Sequence, residues 1–273
     1  MGFSVVHGSP QTIWVPVAPG DTIYTGSIVT VDTASPQEGV LPLPVAAGAS
    51  NTTNKDMPFG VVVGNNNVAG NINFSTTYNS EYITEVAAGS IYGATTKYQG
   101  VEGPWAKGDP RAMVQVALID PCTVLKAPIC NAAVGTAPTV VTATVASGGD
   151  GLDCTTGAAD VATVAQFSTI YMRTGANAGV YRRLDSASDT THTFDVAMKS
   201  DIAVGDTAVV INGLNTFGVS RMQIDSEAQY IDCSAALTAD YFIINVIRLD
   251  LSTPGNEYVE FQFNADNFTA ARA

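Results

Sequence analysis

Between Ala18 and Gly64 the chain alternates short β-rich runs with turn signals, and this stretch constrains the fold more than any other. It opens Ala18-Pro-Gly-Asp-Thr-Ile-Tyr-Thr-Gly-Ser-Ile-Val-Thr-Val-Asp32, where Pro19-Gly20-Asp21 signals a tight turn ahead of Ile23 and Gly26 divides two β-rich runs. It closes with Met57-Pro-Phe-Gly-Val-Val-Val-Gly64, a predicted strand that follows a polar surface loop over Asn51–Asp56. Between them, Gly39–Val45 reads as extended chain that Pro42 and Pro44 keep out of a central sheet position, because proline cannot donate to the ladder. A run of short strands of this kind predicts a small barrel.

The 273 residues are long for one antiparallel barrel and sufficient for two β domains, each with its own core. The expected fold class is therefore all-β, with two small antiparallel barrel or sandwich domains at residues 1–129 and 130–273. Only 14% of residues are charged, and Gly, Thr, Ala, Val and Asn are abundant, as in a folded, turn-rich β protein. Against 25 acidic side chains stand 12 basic ones, a net charge of −13 that repels both nucleic acid phosphates and anionic membranes. The longest basic cluster is Arg182-Arg183. Neither nucleic acid nor membrane is an expected partner. Met1–Val6 lacks the basic and apolar regions of a leader, and Val6 stands where a myristoylation signal wants Ser or Thr, so neither secretion nor anchoring is expected.

Along the chain, residues 4 to 17 alternate weakly. Trp14 between Pro10 and Pro16 reads either as part of a first edge strand or as the anchor of an arm on a neighbouring subunit. Arg111–Ile119 has the apolar density of a buried strand, stopped by Asp120-Pro121, and Trp105 lies in the loop before it. Residues 130 to 160 show the least pattern and read as a linker or as the loose entry to the second domain. A hairpin is expected from Phe167–Arg173 and Val180–Leu184 around Gly175–Gly179, followed by strands over Thr190–Val196 and Thr207–Ile211. A last hairpin pairs Tyr241–Leu251 with Glu257–Phe263, where Val259, Phe261 and Phe263 alternate with Tyr258, Glu260 and Gln262.

Residues that could carry chemistry are dispersed. Cys122, Cys130, Cys154 and Cys233 form no CxxC pair, and Lys126-Ala-Pro128 gives no turn signal for a Cys122–Cys130 bridge, so reduced, packed thiols are expected. His7 and His192 stand apart from any Gly-x-Ser-x-Gly elbow, and His192 in Thr190-Thr-His-Thr193 reads as a surface strand residue. Gly148-Gly-Asp-Gly-Leu-Asp153 matches the start of a calcium-binding nonapeptide in a single copy, and such motifs work by stacking, so it reads as a glycine-rich turn. The Asn-x-Ser/Thr sequons at Asn51, Asn73 and Asn267 read as loop and strand composition. No metal, cofactor or enzymatic activity is expected.

The order Gly20-Asp-Thr-Ile-Tyr-Thr-Gly-Ser-Ile-Val-Thr-Val-Asp32, a variable loop, then Pro58-Phe-Gly-Val-Val-Val-Gly64 resembles the β-barrel of tailed-phage head decoration proteins. The run Arg173-Thr-Gly-Ala-Asn-Ala-Gly-Val-Tyr-Arg-Arg-Leu-Asp-Ser186, continuing to Asp201-Ile-Ala-Val-Gly-Asp-Thr207, is similar to small β modules of tailed-phage structural proteins. The resemblance implies a virion protein without chemistry of its own. It would be made in the host cytoplasm and bound to the outer surface of the expanded capsid, which it stabilises. It further implies a homotrimer whose partner is the major capsid protein, with residues 1–129 attaching and residues 130–273 facing outward or lying between subunits. Because aromatic anchors concentrate interface energy, Trp14, Trp105, Phe59 and Tyr24 are the expected capsid or subunit contacts. The alternative from another class is a host-surface or carbohydrate-binding module of a phage tail.

Overall fold

A computed structural model describes residues 2–16, 23–31, 40–43, 57–65, 82–83, 113–131, 139–156, 168–187, 190–225, 228–234 and 241–268. They form an all-β protein of several antiparallel sheets. The chain divides into two compact units, one comprising Met1–Leu125, Ser226–Gln229 and Ala265–Ala273, the other Lys126–Asp225 and Tyr230–Asn264. The loop at Asn51–Asp56, the turn at Gly20-Asp21 and Trp105 lie outside the described residues.

The first unit contains β1 (Ser4–His7), β2 (Thr12–Pro16), β3 (Ile23–Tyr24), β4 (Ile28–Val31), β5 (Val40–Pro42), β6 (Gly60–Asn65), β7 (Tyr82–Ile83) and β8 (Met113–Leu118). Five of these form a sheet in the order β2-β8-β6-β4-β5, and β3 pairs with β7. The apolar run at β8 is central, as its composition predicts, and the proline-bearing β5 lies at the edge. Val15, Ile23, Val29, Val40, Val62, Val114 and Val116 make a core cluster, each fully buried aliphatic side chain contributing about 1.5–3 kcal/mol. Glycine is sterically required at positions 26 and 60. Gly26 takes a φ of +90° between β3 and β4, while a Cβ on Gly60 would run into the Val116 side chain and the Ala117 carbonyl.

The second unit begins within β9 (Val124–Cys130) and continues through β10 (Ala143–Gly148), β11 (Asp153–Thr156), β12 (Thr169–Met172), β13 (Tyr181–Ala187), β14 (Thr191–Phe194) and β15 (Thr207–Ile211). It ends with β16 (Gly218–Met222), β17 (Ile231–Asp232), β18 (Phe242–Asp250) and β19 (Tyr258–Phe263). Strands β10-β11-β14-β13-β12-β15 close into a barrel around Val145, Ile170, Met172, Leu184, Phe194 and Val210. Of the two readings of residues 130–160, linker or entry to the second domain, the described part over 143–156 follows the second, because β10 and β11 are a hairpin of that barrel. Ala143 and Val145 point inward while Thr144 and Ala146 face out, a period-2 pattern carried by side chains too small to stand out in the sequence. The close wall explains Gly148, where a Cβ would overlap the Ile202 carbonyl oxygen.

A second sheet in this unit, β9-β19-β18-β16, carries β17 parallel to β9. The expected last hairpin is present, with Ile244 opposite Phe263 and Val246 opposite Phe261. Its buried rings pack edge to face, Phe242 on Phe263 with centroids 6.0 Å apart and Phe261 on Phe263 at 5.4 Å. Buried polar groups bind the barrel to this sheet. Asn131 donates from Nδ2 to the carbonyls of Val141 and Val210, and Tyr181 Oη accepts the amide of Leu251 at 2.9 Å.

Candidate functional site

Phe59 is positioned by backbone bonds on two sides: its amide donates to Val29 O at 2.8 Å, and its carbonyl accepts from the Ile119 amide at 3.2 Å. This holds the half-buried ring against the first unit's core and at an apolar groove of about 310 Å³. Val31, Met57, Pro58, Leu118 and Phe268 line the groove with it. Tyr24 is half-buried at the start of the turn that Ser27 closes, where the Ser27 amide donates to Tyr24 O and Ser27 Oγ accepts from the Tyr24 amide. Trp14 is half-buried on β2 opposite Gln115. Of the expected contact residues that the structure describes, Phe59 alone lines this groove.

A second groove, of about 420 Å³, lies in the second unit and joins residues that no sequence pattern connects. Tyr181, Arg182 and Arg183 come from β13, Asp195 and Val196 from the segment after β14, and Asn215, Thr216 and Phe217 from the turn before β16. Arg182 is committed to the wall, donating to the carbonyls of Val196, Ala197 and Tyr181 over 2.9–3.2 Å. Arg183 is half-exposed, with Nε 3.6 Å from Asp195 Oδ2. The turn before β16 is self-bonded, Asn215 donating from its amide to Ser220 Oγ and from Nδ2 to Val219 O, and it presents Phe217 at 76% exposure. Arg182-Arg183 was visible as the chain's one basic pair; Asp195 and Phe217 carried no signal, since only strand pairing brings them near it.

His192 is not a surface residue. It is fully buried on β14 opposite Cys154, and its Nε2 hydrogen-bonds the Thr156 hydroxyl at 3.0 Å while Nδ1 has no partner. The sequence shows polar threonines on both sides of it, and barrel closure turns the His192 and Phe194 face inward. Burial pushes its pKa down to about 4, so the ring is neutral at pH 7. His7 is exposed on β1. Burial likewise pushes the Cys130 and Cys154 thiols up to about 12 and Cys233 well above its ordinary value, so all three are protonated at neutral pH. The Gly148–Asp153 stretch is the β10–β11 turn, in which Asp150 Oδ1 accepts from the Leu152 amide. Among the described residues no three His, Cys, Asp or Glu side chains group as metal ligands, and no helix is long and apolar enough to cross a membrane. No protein family, curated protein or solved structure matches the chain.

Proposed function

We propose that the chain is a structural virion protein of a tailed phage, a decoration or cement protein that binds the outer surface of the expanded capsid as a homotrimer and stabilises it. It acts through binding energy and has no turnover. The observation that carries this reading is the way the two segments of the resemblance meet. Gly26 donates to Val62 O at 2.8 Å and Val62 donates to Ser27 O at 3.0 Å, and the same sheet holds Phe59 at the apolar groove. Repetition by symmetry makes modest energy per copy sufficient to lock a shell. A ligand that binds only the assembled state also protects it by mass action.

The test is to add the full-length protein to stripped, expanded capsids, sediment them and heat them. Bound capsids are expected to resist heat better than stripped ones, and Phe59→Asp is expected to weaken co-sedimentation. If the intact protein neither binds nor protects, the decoration reading fails. Imaging the labelled protein on whole particles separates it from the tail-module alternative, since many copies over the head support decoration and a handful at the tail oppose it.

A further inference from the structure

We propose that the groove between β13 and the turn before β16 binds an acidic saccharide, recognised through a carboxylate on the sugar. The inference is independent of capsid attachment and concerns the second unit alone. The volume of about 420 Å³ lies in the range of roughly 300–1,000 Å³ typical of small-ligand sites.

The lining divides into a fixed frame and a set of groups left for a ligand. Arg182 belongs to the frame, since its bonds to Val196 O and Ala197 O tie the wall to β13. The turn bearing Phe217 also belongs to it, closed on itself by Asn215 and ending at Gly218 with a φ of +85°. A frame of this kind presents its side chains without paying to order them on binding. Among the described residues Arg183 is paired through Nε alone, 3.6 Å from Asp195 Oδ2, and that carboxylate is itself partly exposed. Phe217 offers an apolar ring to solvent beside Val196, which is 61% exposed.

These groups match a pyranose acid. The flat face of Phe217 suits the C–H face of a sugar ring, and the self-bonded turn holds that ring in place at the groove. Asp195 accepts from hydroxyls, and Thr216 both donates and accepts. The Arg183 fork can bind a carboxylate through two parallel N–H···O bonds. Charge selects the acidic sugar over a neutral one. Two arginines face one aspartate, so the groove is locally cationic on a chain whose net charge is −13. An anion is thus repelled from the rest of the surface and attracted here, within about one Debye length, roughly 8 Å at physiological salt.

The experiment is calorimetric titration of the full-length protein with an oligogalacturonide, with a neutral oligosaccharide of equal length and with inorganic phosphate. Saturable binding of the oligogalacturonide is expected, at least tenfold tighter than either control. Arg183→Ala and Phe217→Ala should each weaken it about tenfold or more, while Arg183→Lys recovers only part of the loss because it keeps the charge without the fork. Both side chains are at least half-exposed, so the variants are expected to stay folded, which circular dichroism checks. Lack of binding at millimolar oligogalacturonide, equal binding of the neutral sugar or of phosphate, or binding untouched by both alanine variants would each overturn the proposal.

Discussion

Arg173 and Glu257 form an ion pair inside the second unit, with side chains 12% and 3% exposed, joining the end of β12 to the residue before β19. Arg173 also donates to Thr142 Oγ1 at 2.9 Å and to Leu251 O at 3.4 Å. The desolvation cost of such a pair is offset only while both partners are present. Removing one leaves a buried charge without its counterion. Glu257→Ala is therefore expected to destabilise the protein by about 3–5 kcal/mol, whereas Arg173→Met combined with Glu257→Leu should recover most of that. Urea denaturation followed by fluorescence measures both, and a single variant as stable as the parent would contradict the assignment.

The buried, neutral His192 makes stability depend on pH. Its folded pKa of about 4 lies below the ordinary 6.5, so between these values the unfolded chain binds more protons than the folded one. Stability from this group is complete above about pH 6.5, falls as the pH drops through that window and changes no further below about 4. The total loss is about 3 kcal/mol by linkage. Asp120 and Asp250 are held below their ordinary 3.8, chiefly by the Thr123 and Ser252 hydroxyls, so their stabilisation is lost only at lower pH. Urea midpoints measured from pH 7 to 4.5 should fall for the parent and much less for His192→Gln.

Gly148 faces the Ile202 carbonyl at the barrel wall. Gly148→Ala is expected to cost about 1–3 kcal/mol, because the added Cβ overlaps a backbone oxygen and forces the backbone of one strand to shift. Gly179→Ala serves as the comparison. Its φ is +85°, yet nothing lies within 4 Å of the added Cβ, so only backbone strain opposes it. Thermal melts should therefore place Gly148→Ala below Gly179→Ala.

Thiol reactivity follows burial. All four cysteines are free, Cys122 is exposed and Cys130, Cys154 and Cys233 are buried. A chromogenic disulfide reagent should titrate one thiol rapidly in the native protein, and the other three only after denaturation. Fast reaction of a second thiol would mean that one of these strands opens readily.

Local pattern alone determined the elements whose signals are strong. The last hairpin follows from the alternation of Val259, Phe261 and Phe263 with Tyr258, Glu260 and Gln262, and all three apolar side chains are buried. The edge position of β5 follows from Pro42, and the break at Gly26 from its need for positive φ. In each case the cause lies within a few residues of the effect.

What the tertiary structure decided rests on pairings between distant strands. Ala143, Val145 and Gly148 form a barrel wall because β15 and Ile202 lie against them, which a run of small residues cannot announce. His192 became a core residue because closure gave its strand an inside, and a polar sequence on either side looks the same whether that face is wet or dry. Arg173 reached Glu257, and Arg183 reached Asp195 and the groove with Phe217, by strand register. Side-chain period sets which way a residue points on its strand, but only the closed sheet sets what it meets there.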